Sequence, residues 1–185
     1  MEINTPLTEE VVAQLRAGDR VFVSGTLYVA RDAAHARLVA ALERGEVLPF
    51  DPGGQIIYYM GPSPARPGHP IGSAGPTTSG RMDVYVPRLL AAGLKGMIGK
   101  GNRSALVREA LERYHAVYFA AVGGAAALIA ACVLSAEVIA YADLGAEALR
   151  RLVVARMPVI VINDIYGGDA YEIGQAQYRQ HGPPA

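Results

Sequence analysis

Apolar and polar positions along this chain alternate between a helical and an extended period. Thr8 ahead of EEVVAQLRAG predicts a capped helix ending at Gly18, with Glu9 and Glu10 in the first turn where the helix dipole favours acids. Arg20 to Ala30 (RVFVSGTLYVA) carries β-branched and aromatic residues on either side of Gly25, the pattern of a strand interrupted by a turn or bulge. Asp32 then stands as the N-cap of AAHARLVAALER, where Leu38 and Leu42 recur at helical spacing and Gly45 supplies the stop. Gln55 to Met60 reads as a further strand.

A long stretch dense in Pro, Gly and Ser follows, Gly61 to Gly75 (GPSPARPGHPIGSAG), and a loop of that length inside a domain is usually functional or mobile. Ser79 is placed to cap a helix with Arg81 in its first turn. Pro87 imposes a kink or a new helix start before RLLAAG, and Gly93 closes it. Lys95 to Gly99 is a short apolar segment between glycines. Asn102 is placed to cap a helix whose Leu106, Ala110, Leu111 and Tyr114 share one face. His115 to Val122 predicts a buried strand, Gly123 to Ala131 a small-residue helix, and Glu137 to Tyr141 a strand. Arg151 to Arg156 and Val159 to Asn163 are β-rich, Gly167 and Gly168 suit a hairpin turn, and the tail after Gln177 is expected to fray. The mixture predicts one α/β domain over residues 1–185.

Composition narrows what such a domain does. Lys plus Arg number 17 and Asp plus Glu number 17, so no general field draws the chain to nucleic acid or to an anionic membrane. Ala116 to Ala136 has no charge and the length of a membrane span, but nine of its residues are alanine and two are glycine, which drives insertion weakly and favours a buried pair of elements. The start MEINTPLTEEVV lacks the basic and apolar regions of a signal peptide. Cys132 is the one cysteine, too few for a disulfide or a cysteine-based metal site, and a reducing cytoplasm is the expected compartment.

Cations and glycines coincide at three strand-to-helix turns: Arg31 before Asp32, Arg81 in GPTTSGRMD, and Lys100 with Arg103 in GKGNRS. Helix N-termini with free N–H groups, glycines that admit close approach, and a guanidinium or ammonium together make an anion site. Each cation alone reads more readily as a surface charge with an ordinary partner; three in one neutral chain point to a shared site for a small dianion. GKGNRS fits no nucleotide loop. Leu94 and Gly101 stand where a phosphate-binding loop needs glycine and a hydroxyl, and Ser104 stands where a dinucleotide fingerprint needs its third glycine. Thr77, Thr78 and Ser79 offer hydroxyls for proton transfer or capping, although an alcohol needs activation to act as a base. His35 and His115 lack metal-spaced partners and read as structural, His35 steadying Arg31 through Asp32.

SGTLYVARDAAHARL (Ser24 to Leu38), Gly61 to Asp83 ending in GPTTSGRMD, GMIGKGNRS (Gly96 to Ser104), YFAAVGGAAAL (Tyr118 to Leu128) and DLGAEA (Asp143 to Ala148) together resemble the β subunit of the iron–sulfur class I fumarate hydratases, a family that includes the L-tartrate dehydratase β subunit. The resemblance runs collinearly over nearly the whole chain. It implies a swivelling β/β/α domain with a mixed sheet, inactive without an α subunit that carries a 4Fe–4S cluster through three cysteines, in a heterodimer or heterotetramer. It further implies that Arg31, Arg81 and Lys100 bind the substrate carboxylates, and that Thr77 handles the proton next to the distal carboxylate. The chain itself is expected to bind no metal. Reversible hydration of fumarate to (S)-malate is the implied reaction, with L-tartrate or another 2-hydroxy dicarboxylate as the alternative substrate and a stand-alone anion-binding module as the alternative role. The surface meant for the α subunit should be apolar enough for isolated chains to pair as a homodimer.

Overall fold

In the computed structural model, which describes residues 1–179, two periods of burial divide every central strand between two cores. Ile56, Tyr58 and Met60 pack into one cluster with Val117, Phe119, Val21, Val23, Leu27 and Val29. Ile57, Tyr59, Tyr118 and Met97 pack into another, with Leu38, Leu89, Leu90, Val107 and Leu111 from the helices. Strands apolar on both faces are what a sheet covered on both sides requires.

The strands are β1 (Glu2–Asn4), β2 (Arg20–Val29), β3 (Ile56–Tyr58), β4 (Gly96–Gly99), β5 (Val117–Ala120), β6 (Val133–Ala140) and β7 (Leu149–Asn163). The helices are α1 (Glu9–Val12), α2 (Asp32–Glu43), α3 (Val86–Ala91), α4 (Ala105–Tyr114), α5 (Ala126–Ala131) and α6 (Ala170–Tyr178), with 3₁₀ segments at Ser79–Met82 and Ala142–Glu147. The sheet order is β1-β2-β3-β4-β5-β7-β6, and β2 also pairs with β7, so β2, β3, β4, β5 and β7 close into a ring. The first five strands are parallel, whereas β7 runs antiparallel to β2, β5 and β6. The fold is therefore the expected α/β type with a mixed sheet. The inner cluster fills the ring, and α2, α3 and α4 cover part of its outside.

Several local expectations are corrected. The first helix stops at Val12, and the chain turns through to Gly18. Ser104, not Asn102, precedes α4, and its buried face is Val107, Ala110 and Leu111, leaving Leu106 exposed. The two segments at 151–156 and 159–163 are one strand of 15 residues. Pro158 is tolerated inside it because β6 pairing ends at Val154 and β5 pairing begins at Ile160, so β7 there has a strand neighbour on one side only. Of the glycine pair, only Gly167 has positive φ, and the turn leads into α6 capped by Asp169 instead of into a hairpin. α6 continues to Tyr178, and the expectation for the tail otherwise lies outside the described residues.

The uncharged run from Ala116 to Ala136 becomes strand, helix and strand. It is not simply buried: Ile129 and Val133 face inward, whereas Leu128 and Leu134 are among the most exposed aliphatic residues. β6 begins at Val133, earlier than the predicted Glu137, and forms a sheet edge with Leu134 and Val138 exposed. Among the described residues no helix is long and apolar enough to cross a membrane.

Candidate functional site

Parallel strands in one sheet end on the same side, so the residues that follow β2, β3, β4 and β5 are brought to a common edge. Arg31 follows β2, Gly61 follows β3 and Lys100 follows β4. The GPTTS segment inserts among them. Thr77 N–H donates to the Tyr59 carbonyl (2.7 Å), Lys100 N–H to the Thr77 carbonyl (3.2 Å), and Ser79 N–H to the Lys100 carbonyl (2.9 Å), which extends the sheet past β3 and β4. Thr77 and Lys100 are thereby neighbours by backbone pairing. Neither the Thr77 hydroxyl nor the Lys100 ammonium is tied to another side chain among the described residues, and Lys100 is exposed.

Arg31 and Arg81 meet at one carboxylate. Arg81 Nη2 donates to Asp32 Oδ2 at 2.8 Å, and Arg31 Nε lies 3.9 Å from that same oxygen. Arg31 is also held by Glu147, 3.1 Å from its Nη2, while the other Glu147 oxygen accepts the Ala33 N–H at 3.2 Å. Asp32 is thus the first residue of α2, not its cap, and Glu147 from the far end of the chain satisfies the helix start instead. Gly61 leaves room for the close approach: a Cβ there would stand 2.9 Å from Arg31 Nη1 and push the guanidinium aside.

His35 steadies Arg31 by a route other than the expected one. Its ring is fully buried and Nδ1–H donates to the Arg31 carbonyl (2.9 Å), with no bond to Asp32. Burial pushes its pKa down to about 4, so it is neutral near pH 7 and serves as a spacer against the Tyr59 ring.

Arg103, grouped with Lys100 by sequence, is not available to a ligand. It is buried, its Nε donates to Asp83 Oδ1 (2.9 Å), and its guanidinium lies over the Tyr59 and Tyr118 rings. The other Asp83 oxygen accepts Ser104 N–H at 2.7 Å and takes the role expected of Asn102. Ser79 likewise does not cap the turn it begins. Its Oγ donates to Tyr118 Oη (2.9 Å), and Tyr118 donates to the Gly101 carbonyl (2.9 Å), binding the GPTTS segment to the GKGNRS turn. Gly99 admits this contact, since a Cβ there would be 2.0 Å from Ser79 Oγ.

The Pro-rich stretch is a loop with a closed neck. Ser63 and Ser73 exchange hydrogen bonds, Ser73 N–H to Ser63 Oγ at 2.8 Å and Ser63 N–H to the Ser73 carbonyl at 3.3 Å, and Tyr58 Oη donates to the Ala74 carbonyl. Its tip from Ser63 to Pro70 is exposed and lies over α5 and the β6 edge, close to Ala127, Ala130, Ala136 and Val138.

The pattern of the family described as "Fumarase C-terminus" matches residues 1–174. The chain belongs to the fumarase C-terminus family. It is 38% identical over 177 residues to "Fumarate hydratase class I, aerobic" of Escherichia coli, covering 93% of this chain and 32% of that protein. It is 37% identical over 176 residues to "Fumarate hydratase 1, mitochondrial" of Leishmania major, again 93% of this chain and 32% of the relative. With the "Putative L(+)-tartrate dehydratase subunit beta" of Methanocaldococcus jannaschii it shares 38% identity over 172 residues, covering 90% of this chain and 88% of that protein. The chain thus spans about a third of the fumarate hydratases and nearly all of the tartrate dehydratase subunit. The relatives are hydratases and a dehydratase subunit by name.

Sequence reasoning singled out Arg31, Arg81, Thr77 and Lys100 as candidates and did not single out Glu147, which contacts Arg31, or Tyr118, which bonds Ser79 and Gly101. DLGAEA already carried Glu147, but its approach to Arg31 spans 116 positions and leaves no local signal.

Proposed function

We propose that this chain is the carboxylate-binding β subunit of a two-part hydro-lyase that adds water reversibly to fumarate, giving (S)-malate. The observation that carries the reading is the meeting of Arg31 and Arg81 on one carboxylate, that of Asp32, beside the uncommitted Thr77 hydroxyl and Lys100 ammonium. In the dehydration direction a proton leaves the carbon next to a carboxylate, and charge accumulates on that carboxylate's oxygens. Guanidinium and ammonium groups aimed there favour the transition state over the ground state. Arg31, Arg81 and Lys100 take the carboxylates, and the Thr77 oxygen takes the proton on dehydration and returns it on hydration. A free alcohol is too weak an acid to be an anion unaided, so Thr77 is activated by groups outside this chain.

The hydroxyl that departs also needs activation. This chain's residues do not fit an iron–sulfur ligand set: Cys132 is the one cysteine, half-buried with its thiol pKa raised by burial, and among the described residues no cluster of His, Cys, Asp or Glu is arranged to hold a metal. That task is assigned to a cluster-bearing α subunit, and no step here runs through it. Exposed Val122, Leu128, Leu134 and Val138 give the chain apolar surface that such a partner would cover.

A second reading, L-tartrate dehydration, is favoured by the coverage of nearly the whole tartrate dehydratase β subunit. The test is anaerobic turnover of fumarate and of L-tartrate, by the chain alone and by the chain co-purified with its cluster-bearing partner. Activity of the pair alone, on fumarate, is the expected result. Preference for L-tartrate replaces the substrate, and failure to form a pair replaces the subunit reading with a stand-alone anion-binding module.

A further inference from the structure

Asp32 is the acid that stands inside the cationic cluster. It opens α2, whose start is fixed by Glu147 on the Ala33 amide and by His35 on the Arg31 carbonyl, so its backbone is anchored from two sides. Arg81 is the opposite case, a half-exposed long side chain from a short 3₁₀ turn. Of its five N–H donors only the one on Nη2 directed at Asp32 is engaged among the described residues. Two guanidinium groups repel when they share a site. The single oxygen Oδ2, 2.8 Å from one and 3.9 Å from the other, offsets that repulsion and leaves the remaining N–H groups of Arg81 for a ligand.

We infer that Asp32 is a positioning residue: it holds Arg81 beside Arg31, so that the two act as one carboxylate clamp. This rests on the carboxylate-binding function proposed above. An ion pair this exposed adds little to stability, so its loss should be felt in ligand binding and hardly in folding. Were Asp32 instead a stand-in that blocks the substrate, its removal would tighten binding, and the two roles have opposite signs.

The experiment compares Asp32→Asn, Arg81→Ala and the double variant in the assembled two-subunit enzyme, with the Arg81 Nε–H order followed by ¹⁵N relaxation in the chain alone. The expected result is a kcat/KM for fumarate lowered about tenfold in Asp32→Asn, the worth of one charge-assisted contact, with the loss carried by kcat as well as KM because Arg81 acts in the transition state. In the Arg81→Ala background the Asp32→Asn change should add less than about twofold, because the two residues act as a unit. Arg81 should become mobile in Asp32→Asn while Arg31 stays ordered. An unchanged or raised kcat/KM, effects that multiply, or an Arg81 as ordered as before would overturn the inference. If Arg81→Ala impairs turnover and Asp32→Asn does not, the clamp stands without Asp32; if Arg81→Ala is silent, the carboxylate reading falls and this inference with it.

Discussion

Glu147 divides its carboxylate between Arg31 and the start of α2, one oxygen 3.1 Å from Arg31 Nη2 and the other accepting the Ala33 amide at 3.2 Å. The two oxygens therefore do different work and respond differently to substitution. Glu147→Gln retains an acceptor for the amide but removes the charge that faces Arg31. Its thermal midpoint should stay close to that of the parent, and the KM for the dicarboxylate should rise severalfold, of the order of one charged contact. Glu147→Ala loses the helix-start contact as well, and should cost about 1 kcal/mol more in denaturant unfolding.

Arg31 and Arg81 differ from an ordinary surface pair of cations in facing one site. Replacing either by alanine in the assembled enzyme should lower turnover by ~10²–10³, as loss of a single oxyanion donor does elsewhere. Near-full turnover by Arg81→Ala, measured anaerobically with the partner subunit present, would remove the clamp from the mechanism.

Asp83 and Arg103 form a buried pair next to this edge without belonging to the proposed ligand site. The Arg103 side chain is fully buried, and Asp83 supplies its one carboxylate among the described residues. Asp83→Ala leaves an uncompensated charge inside the protein, which costs about 3–5 kcal/mol. The variant should be recovered in low yield or melt far below the parent. Lys100→Ala, by contrast, should fold normally and lose activity, which separates the two cations that lie close together in GKGNRS.

How much of this was legible in the chain follows from how local each signal is. The β-rich run of Gln55 to Met60 and the glycine break at Gly25 survive in the fold because they depend on neighbours in sequence; the β2 register does shift at Gly25. The cationic turns were legible for the same reason, as each combines glycine and a basic residue within a few positions. What the sequence left unread are contacts made between segments far apart in the chain. Asp83 takes the α4 start from Asn102, Tyr118 takes the Ser79 hydroxyl, and Glu147 takes Arg31, over separations of 21, 39 and 116 positions. β7 was read as two β-rich segments, and Pro158 between them is accommodated in one strand because the pairing at that point is one-sided.

Tyr118 joins the two segments that carry Thr77 and Lys100, receiving from Ser79 and donating to the Gly101 carbonyl. Tyr118→Phe keeps the ring against Arg103 and removes both bonds. The expected loss is about 1–2 kcal/mol in denaturant unfolding, the range for stranding a buried polar group. Turnover should fall further than stability alone explains, with Ser79→Ala reproducing much of it because the same link is broken.

His35 gives the fold a pH dependence whose sign is fixed by its burial. With its pKa pushed from the ordinary 6.5 down to about 4, the folded chain holds this proton more weakly than the unfolded chain does. Protons therefore favour the unfolded state between those two values: the His35 contribution is constant above about 6.5, is lost as pH falls toward 4, and is constant again below. At about 1.4 kcal/mol per pH unit the full loss is about 3 kcal/mol. The measurement is the denaturant midpoint of the parent and of His35→Phe at pH 7.5 and pH 4.5, which span most of that window. The parent should lose markedly more stability between the two than the variant, because carboxylate titration is common to both and only the imidazole differs. Equal losses would mean that His35 takes up its proton in the folded chain at an ordinary pH, and that the buried spacer beneath Arg31 is not neutral.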